Sequence, residues 1–171
     1  MIILDCETTG LLSAEAAPLS DQPSIIEIAL IKTDDELNEK ARYETKLFTR
    51  TKINPEASKV TGMVNADLKG FPEFAEIYGD LVDLFLGEDT LIAHNLPFDR
   101  QMLVYELRRI DKEHQFPWPP THICTVEETY HLKKRRLKLI ELYEYTLGRP
   151  LDQKHRAMAD VEARLEILRK M

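Results

Sequence analysis

The stretch "ILDCETTG", Ile3 to Gly10, closes an apolar run with two acids one residue apart. With Ile2 before it, the segment Ile2 to Asp5 reads as a short buried strand. Side chains two apart on a strand share a face, so Asp5 and Glu7 project together if the strand extends that far. Two adjacent carboxylates repel unless a cation joins them, and Mg²⁺ and Mn²⁺ prefer oxygen ligands. The alternative is an Asp-x-Glu pair turned to solvent. The apolar residues before the pair favour a central strand that carries both acids to its carboxyl end, where α/β sheets bind ligands.

Outward from that strand, a Pro- and Ser-containing loop, Leu11 to Pro23, leads to "SIIEIALIK", Ser24 to Lys32. This is a second strand, with Glu27 the one charge inside an apolar run. The acidic "DDELNEK" suits a hairpin turn, and "ARYETKLFT" alternates Tyr43, Thr45 and Leu47 against charged neighbours as a third strand. Three consecutive strands predict an antiparallel meander. Phe74, Ile77, Leu81, Leu84 and Phe85 mark one face of a helix that stops at Gly87. "DTLIAHN" is then a short central strand feeding the helix "PFDRQMLVYELRRI", with Pro97 at its start. This strand-then-helix order makes the class α/β. "THIC" reads as another short strand, "TVEETYHLK" and "LKLIELYEYTLG" as two helices. "HRAMADVEARLEILRKM" is a last amphipathic helix with Ala157, Val161, Leu165 and Leu168 inward.

At 171 residues and 43% apolar, residues 1–171 are expected to form one domain around one core. No stretch approaches the roughly 20 apolar residues of a membrane span. No basic segment leads into an apolar secretory core, so a soluble cytoplasmic protein without a membrane partner is expected. Cys6 and Cys124 lack the spacing of a disulfide framework or zinc site and read as reduced, buried thiols. The net charge of −7 is unusual for a nucleic-acid binder, since nonspecific binding relies on Lys and Arg contacts to phosphate. A cation-binding cluster of carboxylates raises the acidic count by itself, however, and a grip on a strand end needs few phosphate contacts. Lys133, Lys134, Arg135, Arg136 and Lys138 reverse the balance locally. That run either faces a phosphate backbone or is a solvated helix end.

Two further sites carry acids. "LIAHNLPFD" runs a strand into a helix and places Asp99 in its first turn, where an acid is also favourable for the helix alone. In "HRAMAD", five residues separate His155 from Asp160, a rotation of roughly 140° on an α-helix. The two would not share a face if both were helical, which places His155 in the loop or first turn before the helix.

Asp5, Glu7, Asp99, His155 and Asp160 thus lie in three ordered motifs, "LDCETTGLL", "LIAHNLPFD" and "HRAMAD". In these motifs the chain resembles the DEDD superfamily of 3′–5′ exonucleases, specifically the His-containing branch that includes the proofreading epsilon subunit of bacterial DNA polymerase III, exodeoxyribonuclease X and RNase T. The resemblance spans Ile3 to about Leu168. It implies an RNase H-like fold, with a central mixed five-stranded sheet, three antiparallel N-terminal strands and flanking helices. It implies two divalent metal ions, Mg²⁺ or Mn²⁺, held by Asp5, Glu7, Asp99 and Asp160, with Asp5 bridging and His155 as general base. It also implies that Thr8, Gly10, Leu11, His94 and Phe98 bind the terminal nucleotide, although plain core packing explains Phe98 as well. The implied partners are nucleic-acid 3′ ends, DNA before RNA, and a DNA polymerase or replication complex. "VTGM" resembles the turn after the family's third strand. The chain departs from many members at Thr61, where they carry histidine, and at Cys124, where they carry an acid.

Overall fold

The computed structural model describes residues 1–152 and 155–171. Strand β1 (Ile2–Thr8) runs past the expected Asp5 and carries both acids, with its register to the next strand shifting only after Glu7. Antiparallel partners follow, β2 (Ile25–Thr33) and β3 (Glu39–Lys46), and the expected meander is present. Asp34 closes the hairpin between β2 and β3 by accepting the Glu36 and Asn38 amides. Strands β4 (Thr90–Ala93) and β5 (Thr121–Cys124) add in parallel, giving the order β3-β2-β1-β4-β5. The mixed five-stranded sheet is therefore as expected, with β1 at its centre.

Helices cover both faces. Helix α1 (Pro55–Thr61) precedes α2 (Phe74–Phe85), and α3 (Leu96–Arg109) follows β4. Ile2, Leu4 and Cys6 of β1 pack towards Phe74, Leu81 and Phe85 of α2 and Met102, Leu103 and Leu107 of α3. Ile3, on the opposite face, packs with Ala29, Ile31 and Ile92 against Ala157, Val161 and Leu165 of the last helix. On that second face β1 changes from apolar at Ile3 to acidic at Asp5 and Glu7, as the period of two requires.

Two readings need correction. "VTGM" is not a free turn after β3: Val60 and Thr61 end α1, and Gly62 caps it in the left-handed region at φ 71°. "TVEETYHLK" is not one helix but two single turns, α4 (Thr125–Glu128) and α5 (Tyr130–Lys133), broken at Thr129. There the Thr129 hydroxyl bonds back to the Thr125 carbonyl at 2.6 Å, a pattern that competes with helix continuation. Helix α6 (Leu139–Leu147) then packs Leu139, Leu142 and Tyr143 on Ala163 and Ile167 of α7 (Ala157–Lys170). Cys6 is buried, while Cys124 is only half-buried at the end of β5. Among the described residues no helix is long and apolar enough to cross a membrane.

Two charged groups on the frame, the half-buried Arg109 and the buried Glu27, have partners that were not expected from sequence. Arg109 on α3 donates to the carbonyls of Leu19, Gln22 and Pro23, pinning the end of the Leu11–Pro23 loop. Glu27, 3% exposed on β2, accepts from both Nε and Nη2 of Arg156 and from the Ala157 amide at 3.1 Å. Its carboxylate thus caps the N-terminus of α7, a favourable place for negative charge, from a neighbouring strand. Glu27→Ala removes the cap and the Arg156 partner together. It is expected to cost about 2 kcal/mol, read as a lowered Tm, and to speed amide exchange selectively at Ala157–Val161.

Candidate active site

Strand β1 pairs with β4 only at Ile2 and Ile3. Beyond that point pairing stops as β4 ends at Ala93, and side chains meet backbone groups of β1 instead. Arg164 of α7 donates to the Leu4 carbonyl at 2.6 Å, and Asp99 of α3 accepts the Cys6 amide at 3.1 Å. The opening is a cleft of about 730 Å³, with Asp5, Glu7, Phe98, Asp99, His155 and Asp160 in its walls. The five residues singled out by the three motifs therefore converge in one place, at the carboxyl end of the central strand.

Asp5, Glu7 and Asp160 each offer a ligand atom within 4.8 Å of the other two. Asp99 lies outside this triad, reaching the cleft from the α3 side of the sheet. Three carboxylates that close, all hard oxygen donors, suit a divalent cation such as Mg²⁺ or Mn²⁺. His155 precedes α7, which begins at Ala157, and its backbone is left-handed at φ 47°. Its expected position outside the helix is thus observed, and it shares the cleft with Asp160.

The electrostatics follow from crowding. Burial is the largest influence on Glu7 and, with the charges of Asp5, Asp160, Glu27 and Asp99, pushes its carboxyl up to about 9. Glu27 contributes because it lies directly opposite Glu7 in the β1/β2 register. Asp5 rises to about 6 through burial, partly offset by the Arg164 guanidinium. Burial likewise pushes Asp99 well above the usual carboxylate range.

The residues expected to hold the nucleotide divide between two places. His94 and Phe98 line the acidic cleft. Both His94 ring nitrogens are engaged, one with the Thr125 hydroxyl at 2.9 Å and the other with the Leu137 carbonyl at 3.0 Å, and burial lowers its pKa to about 4. His94 can therefore offer only its ring face. Phe98 lines the cleft and also packs against the core, so its two readings coexist. Thr8, Gly10 and Leu11 instead line a separate pocket of about 450 Å³ with Asn54, Ala57 and Val60. The Thr8 hydroxyl donates to the Gly10 carbonyl at 2.8 Å and so holds the turn, whereas Leu11 is 85% exposed. Thr61 also lines this pocket, its hydroxyl bonded to the Ala57 carbonyl.

Arg136 and Lys138 of the basic run stand in the cleft wall. Arg136 donates to Asn95 Oδ1 at 2.8 Å and pairs with Glu127, while Arg135 pairs with Glu141.

Sequence reasoning missed Arg164 and the Glu27–Arg156 pair. Arg164 is 1% exposed, bonded to Leu4 and, at 2.9 Å, to Asp5. A signal for it existed: position 164 lies three after Val161 and four before Leu168, inside the inward stripe of α7.

Residues 2–168 match the RNase T exonuclease family. The chain belongs to that family. A relative, the DNA polymerase III subunit epsilon of Treponema pallidum, is 30% identical over 174 residues, which cover 98% of this chain and 74% of the relative. The same subunit from Haemophilus influenzae is matched over only 50% of its length. Among solved structures, the zinc-bound E. coli exonuclease I complex with single-stranded DNA superposes with a TM-score of 0.78 at 18% identity, over 99% of this chain and 39% of that one. Exonuclease X bound to 5′-overhanging duplex DNA gives 0.64 at 23% identity, over 97% and 88%. These structures share the exonuclease fold.

The raised carboxyls set a pH dependence for the metal-free protein. Between the ordinary value near 4.5 and about 9, folded Glu7 holds a proton that the unfolded chain has released. More protons bound to the folded state means that stability falls as pH rises. His94 acts in the opposite sense only between about 4 and its ordinary 6.5. In EDTA, Tm is therefore expected to fall steadily from about pH 6.5 to about pH 9, and added Mn²⁺ to reduce that fall. Differential scanning fluorimetry across this range checks both.

Proposed function

We propose that the chain is a metal-dependent 3′–5′ exonuclease that hydrolyses the terminal phosphodiester of DNA and releases nucleoside 5′-monophosphates, with residues 1–171 acting as one exonuclease domain. The observation that carries the reading is the convergence of Asp5, Glu7, Asp99, Asp160 and His155 on one cleft in a member of the exonuclease family. In this reading Asp5, Glu7 and Asp160 would hold one divalent ion, and Asp99 would serve a second together with Asp5. Such ions lower the pKa of water and offset charge on the transferring phosphate. Mg²⁺ and Mn²⁺ both suit the oxygen donors.

His155 takes the proton from the attacking water, a task suited to imidazole because its ordinary pKa lies near neutrality. The new P–O bond forms as the bond to the 3′ oxygen of the penultimate nucleotide breaks, leaving a 3′-hydroxyl on the shortened strand. Phe98 offers a ring face to a base in the cleft, and the half-open pocket beside Leu11 supplies an apolar surface for another. The polymerase subunit among the relatives supports a further element of the proposal, that the chain proofreads beside a DNA polymerase.

Incubation with Mn²⁺ or Mg²⁺ and 5′-labelled DNA and RNA, single-stranded and duplex, tests this. A ladder that shortens from the 3′ end on DNA is expected. It should disappear with chelator and in the Asp5→Ala, Glu7→Ala double variant. His155→Ala should lower kcat on the order of 10²–10⁴-fold while retaining Mn²⁺ binding. Full activity of His155→Ala at neutral pH would remove the general-base assignment, and preferred cutting of RNA would reassign the substrate.

A further inference from the structure

Arg164 is the largest fully buried side chain among the described residues, and it lies inside the acidic cleft. An arginine is almost never buried to this degree unless it is paired, because desolvating the charge is so costly. Its two terminal nitrogens serve different partners: Nη1 donates to the Leu4 carbonyl at 2.6 Å and Nη2 to Asp5 Oδ1 at 2.9 Å. Its Nε is buried without a hydrogen-bond partner. The two bonds of its outer nitrogens are therefore the ones that fix the fork. Those bonds join consecutive residues of β1 at the point where pairing with β4 has stopped.

Position also matters. Asp160 and Arg164 lie four residues apart on one face of α7, and Arg156 caps the helix just before its first turn, so a positive, a negative and a positive group follow one another along β1 and β2. Arg156 answers Glu27 on β2. Arg164 answers Asp5 on β1 from one turn beyond Asp160, which itself joins Asp5 and Glu7 in the metal-sized triad.

We propose that Arg164 is a positioning residue and a permanent counter-cation of the site: by bridging the Leu4 carbonyl and Asp5 it holds the shared carboxylate in place whether or not a divalent ion is present. The inference rests on the metal-site reading above, since it assigns Asp5 a role worth holding. The pair leaves the cluster short of one negative charge, so the site assembles before metal arrives rather than around it. Lysine cannot replace it, because one ammonium group cannot present the planar fork that spans the carbonyl and the carboxylate.

The test is a double-mutant cycle read as thermal stability in EDTA. Arg164→Met is expected to lower Tm on the order of 10 °C, the scale for breaking a buried pair in a chain of this size. Asp5→Asn, which removes the charge that Arg164 faces, should recover about half or more of that loss in the Arg164→Met background but give no gain in the wild type. Mn²⁺ alone should raise the Tm of Arg164→Met more than that of the wild type, because the ion then supplies the missing positive charge. Arg164→Lys should fall between the wild type and Arg164→Met both in its loss of Tm and in its Mn²⁺ increment. Equal losses in the wild-type and Asp5→Asn backgrounds, with equal Mn²⁺ increments, would reduce Arg164 to core packing and overturn the proposal. If Arg164→Met fails to fold, the same cycle is run with Arg164→Lys and Arg164→Gln. A wild type that Mn²⁺ does not stabilise at all would count against the metal site itself, and the cycle in EDTA would still decide the Arg164–Asp5 pairing.

Discussion

Four carboxylates crowded into a desolvated gap would drive a chain apart unless something opposed them, and the arrangement of the sheet and α7 is organised around that problem. The gap exists because β1 outlasts its pairing with β4. A continuous ladder there would satisfy the backbone but leave no room for a ligand. With β4 ended, the Leu4 carbonyl and Cys6 amide fall to side chains, and the side chains that answer are Arg164 and Asp99. The site is thus built from the groups that repair a broken sheet.

Helix α7 carries most of the electrostatic burden. Its apolar residues, Ala157, Val161 and Leu165, would hold it on the sheet in any register that kept them inward. The charged contacts select one register. Glu27 fixes the first turn through Arg156 and the Ala157 amide, and Asp5 with Leu4 fixes the second turn through Arg164. Asp160 is held between these two points, and His155 stands just outside the first. Hydrophobic burial provides most of the docking energy, but buried pairs such as these decide alignment, because a slip by one residue would leave each charge unpaired.

Much of this was legible in the sequence, for identifiable reasons. The alternation from Ile3 through Glu7 placed both acids on one face. The 140° offset between His155 and Asp160 forced the histidine out of the helix. Pro97 and the apolar run before it placed Asp99 at a helix start. Other features depended on partners distant in sequence. Glu27 stood out as a charge in an apolar strand, but its role required Arg156, 129 residues away. Arg164 looked like an ordinary surface arginine unless the inward stripe was counted through it. The break at Thr129 turned on a side-chain bond to the Thr125 carbonyl, which helical periodicity does not register. His94 was singled out by the family resemblance alone, and no local pattern announces that its two nitrogens are held by residues 31 and 43 positions further on.

The grip of Arg109 on the Leu11–Pro23 loop has an evolutionary consequence. Its guanidinium reaches three main-chain carbonyls, those of Leu19, Gln22 and Pro23, and a carbonyl is the same whatever side chain accompanies it. The end of the loop is thus secured in a way that is largely indifferent to sequence. Leu11 and Leu12, which are exposed, with Leu11 lining the pocket beside β1, can change without loosening that hold. The protein can therefore explore new surface next to its reactive centre while the strand that carries the acids stays fixed, so that recognition and chemistry are free to drift at different speeds.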